Sequence, residues 1–157
     1  MGFESLSLKG RALRLLGQRE HSRQELQRKL APHVQEGDDL PALLDELEHK
    51  GFISEARVIE SVLHQKAARM GSARIRQALQ AKGVDAQAVG AALEQLKDSE
   101  LERAREVWRR KFGQPADDAR AHARQVRFLM ARGFGAETVR TVLRNPCPSD
   151  EGGDAAE

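Results

Sequence analysis

Basic side chains at helical spacing are the groups in this 157-residue sequence best placed to do chemistry. Arg120, Arg124 and Arg127 fall at i, i+4 and i+7, one stripe of a single helix. No acid flanks that stripe at helical spacing except Asp117 and Asp118 near its start. Like charges so spaced repel by roughly 0.2–0.5 kcal/mol per pair. Repulsion kept in one place points to an acidic partner, either DNA phosphate or an acidic protein surface. Arg109, Arg110 and Lys111 close a helix that holds the single tryptophan, Trp108. Arg69, Arg74 and Arg76 flank Gly71, and Arg132 precedes Gly133. Together these residues are the candidate partner- or nucleic-acid-binding set.

Catalytic and metal-binding patterns do not emerge. The five histidines, His21, His33, His49, His64 and His122, are scattered. They form no HExxH motif and no i, i+4 pair that would present two nitrogens to zinc. Each reads as a surface or helix-end residue. Cys147 has no positioned base and reads as an inert thiol. As the single cysteine it excludes an intramolecular disulfide and fits a reducing compartment. Asp38-Asp39 and Asp117-Asp118 precede helices, where carboxylates favour the positive end of the helix dipole. Neither GxxxxGK(S/T) nor GxGxxG occurs. The expectation is a protein that is not an enzyme, with no cofactor and no metal.

Helices must position the basic groups, because apolar residues recur at helical period nearly throughout. Leu40, Leu43, Leu44 and Leu47 make one apolar stripe, as do Val89, Ala92, Leu93 and Leu96. Leu101, Ala104, Trp108 and Phe112 form another, which assigns Trp108 and Phe112 to the core. Ser22 and Glu25 fit a capping box. Gly51, Gly71, Gly83, Gly113 and Gly133 read as helix-end caps, where glycine enters left-handed conformations freely. The pattern predicts nine helices, over 4–18, 22–31, 39–50, 54–69, 72–82, 85–97, 99–112, 116–132 and 135–144.

These helices repeat with a period near fifty residues. Leu79/Leu129, Ala81/Ala131, Gly83/Gly133, Ala86/Ala136, Val89/Val139 and Leu93/Leu143 are identical, and Lys82/Arg132 and Val84/Phe134 are conservative. A fainter first copy aligns Leu26 with Ile75 and Leu30 with Leu79. It gains three residues in a loop before Leu43 and Leu47 meet Val89 and Leu93. Tandem units of this kind bury together what one cannot bury alone. The expected fold is all-α, with three tandem three-helix repeats forming an elongated, curved helical array. The repeats are placed at 1–54, 55–98 and 99–145, followed by a disordered acidic tail over 146–157. Removing that tail is expected to leave folding intact.

Composition agrees. Charged residues make up 32% of the chain and aromatics only 4%, with no tyrosine, so Leu, Ala and Val must pack the core. The net charge of +2 conceals a gradient. Residues 1–54 hold 8 bases and 9 acids, 55–98 hold 7 and 5, and 99–145 hold 11 and 6, so the third unit is the most basic. The N-terminus lacks the basic start and apolar core of a signal peptide. Nothing approaches the ~20 apolar residues of a membrane span. A soluble cytoplasmic protein is expected.

Several segments in order resemble the RecX family of RecA regulators. Arg19, Glu20, Ser22, Glu25, Leu26, Lys29 and Leu30 match its first-repeat signature. Gly51, Phe52, Ile53, Glu55, Arg57, Arg69, Gly71, Arg74, Ile75, Leu79, Lys82 and Gly83 match its middle segment. WRRKFG (108–113) and QVRFLMARGF (125–134) match third-repeat elements. Two positions depart: the family's usual Phe-Ala is Val58-Ile59 here, and an acidic position is Ser54. The resemblance implies a non-enzymatic modulator that lodges in the groove of the RecA filament on single-stranded DNA. Such proteins block filament growth or promote its loss, damping strand exchange, ATP hydrolysis and LexA cleavage in homologous recombination, DNA repair and the SOS response. RecA is thus the expected partner of a monomeric protein, with the DNA phosphate backbone as a second contact.

The alternative is a non-specific DNA-binding helical protein, since Arg76 to Leu96 reads as helix, glycine turn, helix. Its would-be recognition helix, 85–96, offers only Gln87 and Gln95 to base edges, which leaves phosphate contact as its mode. A plain scaffold is a third reading.

Overall fold

A computed structural model describes residues 5–146. Among these the backbone forms nine α-helices, two single 3-10 turns and no strand. The helices are α1 (Leu8–Gln18), α2 (Arg23–Leu30), α3 (Leu40–His49), α4 (Glu55–Lys66), α5 (Ser72–Ala81), α6 (Ala86–Leu96), α7 (Glu100–Lys111), α8 (Ala119–Ala131) and α9 (Ala136–Arg144). The all-helical class expected from periodicity is the one observed.

Caps explain where the ends differ from expectation. α1 begins at Leu8 rather than residue 4 because the Ser7 hydroxyl accepts from the Gly10 amide at 3.0 Å. α8 begins after Asp118, whose carboxylate accepts from the Ala121 amide at 2.6 Å. The Ser22–Glu25 capping box is complete in both directions. Cys147 and the four acids that follow lie outside the described residues, as does the expectation of a disordered, dispensable tail.

Contacts group the chain into two compact units. One runs up to Gln65 and resumes over Arg76–Glu94; the other takes Lys66–Ile75 and the chain from Gln95 onward. In the first, Leu8, Ala12, Leu26, Leu30, Leu43, Leu44, Leu47 and Ile53 form the core. In the second, Ala104, Val107, Trp108, Leu129, Phe134, Val139 and Val142 do so, with Leu101 and Phe112 packed against them. Trp108 and Phe112 therefore serve the core, as their spacing implied.

Each unit contains one joint in which a helix start is seated on a glycine turn. In the first, the Ser22 hydroxyl caps the Glu25 amide and donates onward to the Lys82 carbonyl at 2.5 Å. Lys82 returns an ion pair to Glu25 at 3.0 Å, and Arg28 donates to the Ala81 carbonyl at 2.8 Å. The start of α2 is thereby seated on the glycine turn that follows α5. In the second unit the start of α5 sits on the glycine turn that follows α8. Gly71 donates to the Arg132 carbonyl at 2.8 Å, and Ala73 to the Gly133 carbonyl at 3.1 Å. Sequence repeat and joint coincide, because Lys82-Gly83 and Arg132-Gly133 are aligned positions.

Gly71 departs from its expected role. Its φ is not positive, whereas Gly51, Gly83, Gly113 and Gly133 are left-handed as expected of helix-end caps. Gly71 is required instead for close approach, since a Cβ there would overlap the Gly133 carbonyl and the Phe134 amide. A second departure is His21, which is buried rather than at the surface. Its Nδ1 lies 3.0 Å from the Arg19 carbonyl, and Lys29 approaches Nε2 at 3.3 Å. That pairing requires a neutral ring donating from Nδ1 and accepting at Nε2. Burial pushes its pKa below the ordinary value, and the neighbouring Arg19 and Lys29 charges push the same way against the backbone hydrogen bond.

Candidate binding surface

The basic stripe rests on α8, whose orientation is set by a buried amide. Gln125 is 6% exposed; it accepts from the Trp108 indole at 2.9 Å and donates to the Gln114 carbonyl at 3.1 Å. Leu129, one turn on, is fully buried. Gln125 and Leu129 thus fix the inward edge of α8, and Arg120, Arg124 and Arg127 emerge on the opposite side. All three are exposed. The ion pairs that surround them join Arg105 to Glu102, Arg109 and Arg110 to Glu106, and Arg140 to Glu137, and none engages the stripe. Asp118, the acid nearest in sequence, is occupied as the N-cap.

Helical spacing alone gives α8 an apolar side of Ala123, Val126, Leu129 and Met130, of which only Leu129 is buried. Ala123 is exposed, Val126 half-buried, and Met130 45% exposed. The Gln125–Trp108 hydrogen bond turns the helix toward Gln125 and leaves Val126 and Met130 on an outer flank.

The remaining candidates are distributed as follows. Lys111 lies over the Phe128 ring with its ammonium 5.5 Å from the centroid, and the Arg132 guanidinium approaches the same ring at 5.0 Å. Phe112 meets Phe128 edge-on at 5.4 Å. Two cations are thereby anchored around one aromatic, each worth about 0.5–1 kcal/mol at an exposed site. Arg74 packs its stem on Gly133, next to Arg132, with its charged end exposed. Arg69 is exposed in the turn after α4. Arg76 is exposed but belongs to the other contact unit. Arg109 and Arg110 both turn back onto Glu106, and the Arg110 hydrogen bond holds that carboxyl below its usual range. This cluster is partly neutralised within its own helix.

Sequence reasoning missed Arg103, because nothing in its spacing marks it. Its guanidinium donates to the Ala67 and Met70 carbonyls, each at 2.7 Å, and to the Leu96 carbonyl at 3.3 Å. It thus fastens the turn after α4 and the last residue of α6 to α7. Glu100 completes the fastening, accepting from the Ser72 amide and the Thr138 hydroxyl. No helix among the described residues is long and apolar enough to cross a membrane.

Comparison with known proteins agrees with this architecture. Residues 54–93 match the family model for the second three-helix domain of RecX, and residues 98–143 match that for its third. The chain is 59% identical over 139 residues to the regulatory protein RecX of Leptothrix cholodnii, covering 88% of each chain. It is 50% identical to that of Herminiimonas arsenicoxydans, covering 88% of this chain and 92% of the other. The crystal structure of RecX from Lactobacillus salivarius superposes with a TM-score of 0.67 at 20% identity, covering 88% of this chain and 94% of that one. Matched domains, arrangement of helices and identity over most of the length converge on one conclusion: the chain belongs to the RecX family of regulatory proteins.

Proposed function

We propose that the protein binds the RecA filament on single-stranded DNA and inhibits it, blocking growth or promoting disassembly. Recombinase, ATPase and coprotease activities of RecA fall as a result, which places the protein in the cytoplasm within homologous recombination, DNA repair and the SOS response. Family membership supports the partner. The observation that supports the surface is the exposed stripe of Arg120, Arg124 and Arg127, which no ion pair among the described residues engages.

A filament of protein on DNA is strongly anionic, so this stripe should govern encounter rate and salt sensitivity. Lys111 and Arg132, held at Phe128, and Arg69 and Arg74 near the second joint extend the same basic surface. The protein regulates by occupying a surface, acts as a monomer and does so without chemistry of its own. The test is RecA ATPase on single-stranded DNA with substoichiometric amounts of this protein. Unchanged hydrolysis would defeat the reading. Binding to single-stranded DNA without RecA, equally weakened by Arg124→Glu/Arg127→Glu, would favour the DNA-binding alternative instead.

A further inference from the structure

α8 carries more than its arginine stripe. His122, Val126 and Met130 lie on a third face, between the buried edge and the arginines. With Ala136, Val139, Arg140, Leu143 and Arg144 they line an open groove of about 400 Å³ between α8 and α9. The floor is aliphatic and the rim is basic; among the described residues no carboxylate lines it, although Glu137 beside it pairs with Arg140 at 3.1 Å.

The first repeat shows how the same place can be closed. There Arg23 bridges from α2 to Asp45 at 2.6 Å and Glu48 at 3.1 Å on α3. The aligned positions in the third repeat are His122, Thr141 and Arg144, which cannot form that bridge. Val126 and Met130 replace Gln27 and Ala31 of the first repeat, and Arg76 and Gln80 of the second. Aliphatic side chains have thus entered positions that are polar or small in both other copies, and Met130 is left 45% exposed. An apolar surface with this rim marks a docking site.

We propose that the groove receives one amphipathic helix of a partner protein, apolar on the face it buries and bearing carboxylates along its edges. The span from His122 to Met130 is about 12 Å, or roughly two turns of a docked helix with two or three aliphatic anchors. The rim of His122, Arg140 and Arg144 selects acidic flanks. A phosphate backbone would gain nothing from the aliphatic floor, which is why a protein helix is the fitting occupant. The proposal does not depend on which molecule meets the α8 arginines.

The test uses the full chain and a fluorescein-labelled synthetic helix with leucines at i, i+4 and i+7 and glutamates along both edges. A lysine-edged copy serves as control, and binding is followed by anisotropy. The glutamate-edged helix should bind at least about tenfold tighter than the control. Met130→Glu should weaken it by about tenfold with melting temperature unchanged, and the milder Val126→Ala, at a side chain that also packs on the core, severalfold, while Arg124→Glu/Arg127→Glu should leave most of the affinity in place. Equal affinity for both helices, or indifference to both groove variants, would overturn the proposal. It is equally overturned if truncation after Asn145 tightens helix binding, which assigns the groove to the chain's own tail. A dimer abolished by Met130→Glu assigns it to a second copy, and displacement of the helix by an oligonucleotide assigns it to nucleic acid.

Discussion

The first three helices and the last three handle charge in opposite ways. In the first repeat Lys9 and Lys50 share Glu46, Arg23 spans Asp45 and Glu48, and Arg19 meets Glu25, which also takes Lys82. In the third repeat the exposed arginines of α8 face outward with no carboxylate paired to them among the described residues, and the pairs formed nearby each lie within one helix. Apart from the pairs to the largely buried Glu25, these are exposed and contribute only about 0–1 kcal/mol each, so most of the difference has little to do with stability. Its effect is on recognition: one end has its field cancelled internally, and the other presents it. The two joints follow a parallel contrast. The first is made by side chains reaching a turn, and the second by two backbones in direct contact.

The joints offer the largest effects. Gly71→Ala should destabilise by about 3 kcal/mol or more, because its Cβ meets backbone that cannot move aside. Gly83→Ala should cost less, about 1–2 kcal/mol, since it adds left-handed strain but clashes only with the Gln24 side chain. Denaturant midpoints that rank the two variants the other way would erase the distinction between the joints.

Ser22→Ala comes next. It removes the α2 cap and the hydrogen bond to Lys82 together, for about 2 kcal/mol. Ser22→Asp restores only the cap and should recover part of the loss in the same melts.

Charge reversal on α8 addresses recognition directly. Arg124→Glu/Arg127→Glu should leave helix content and melting nearly intact while weakening filament inhibition severalfold, up to about tenfold. Arg11→Glu/Arg14→Glu, in the near-neutral first repeat, should matter less. Equal loss from both folded variants would show that the charge gradient does not locate the working surface.

The smallest effect is on pH dependence, and two groups of the first unit illustrate it. His21 is held neutral, so its contribution is present above its ordinary value of 6.5 and is lost as pH falls below it. Burial alone would raise the Glu25 carboxyl, but hydrogen bonds from Arg19, Lys82 and the Ser22 amide hold it at about 2. Its contribution is therefore present above 4.5 and is lost as pH falls from there toward 2. Urea midpoints at pH 7.5 and 5.5 should differ for the wild type, and His21→Asn should narrow the gap.

The sequence by itself determined the helices, the capping box, the aliphatic core positions and the exposed arginine stripe. Each of these depends on periodicity or on neighbours within one turn, and such information is local. Glu106 stands at i−3 and i−4 from Arg109 and Arg110, so their pairing is also legible from spacing. Tertiary structure alone decided the rest. Gly71 looked like another helix-end cap until its contact with Gly133 showed that the missing side chain is what matters. His21 reads as a surface residue, and nothing marks Gln125 as buried, because their partners, Lys29 and Trp108, lie 8 and 17 positions away. Arg103 gave no sign at all, since its acceptors are backbone carbonyls 36, 33 and 7 residues away. The open flank of α8 followed from the Gln125–Trp108 pair, which sets the rotation of the helix by a hydrogen bond that no periodicity encodes.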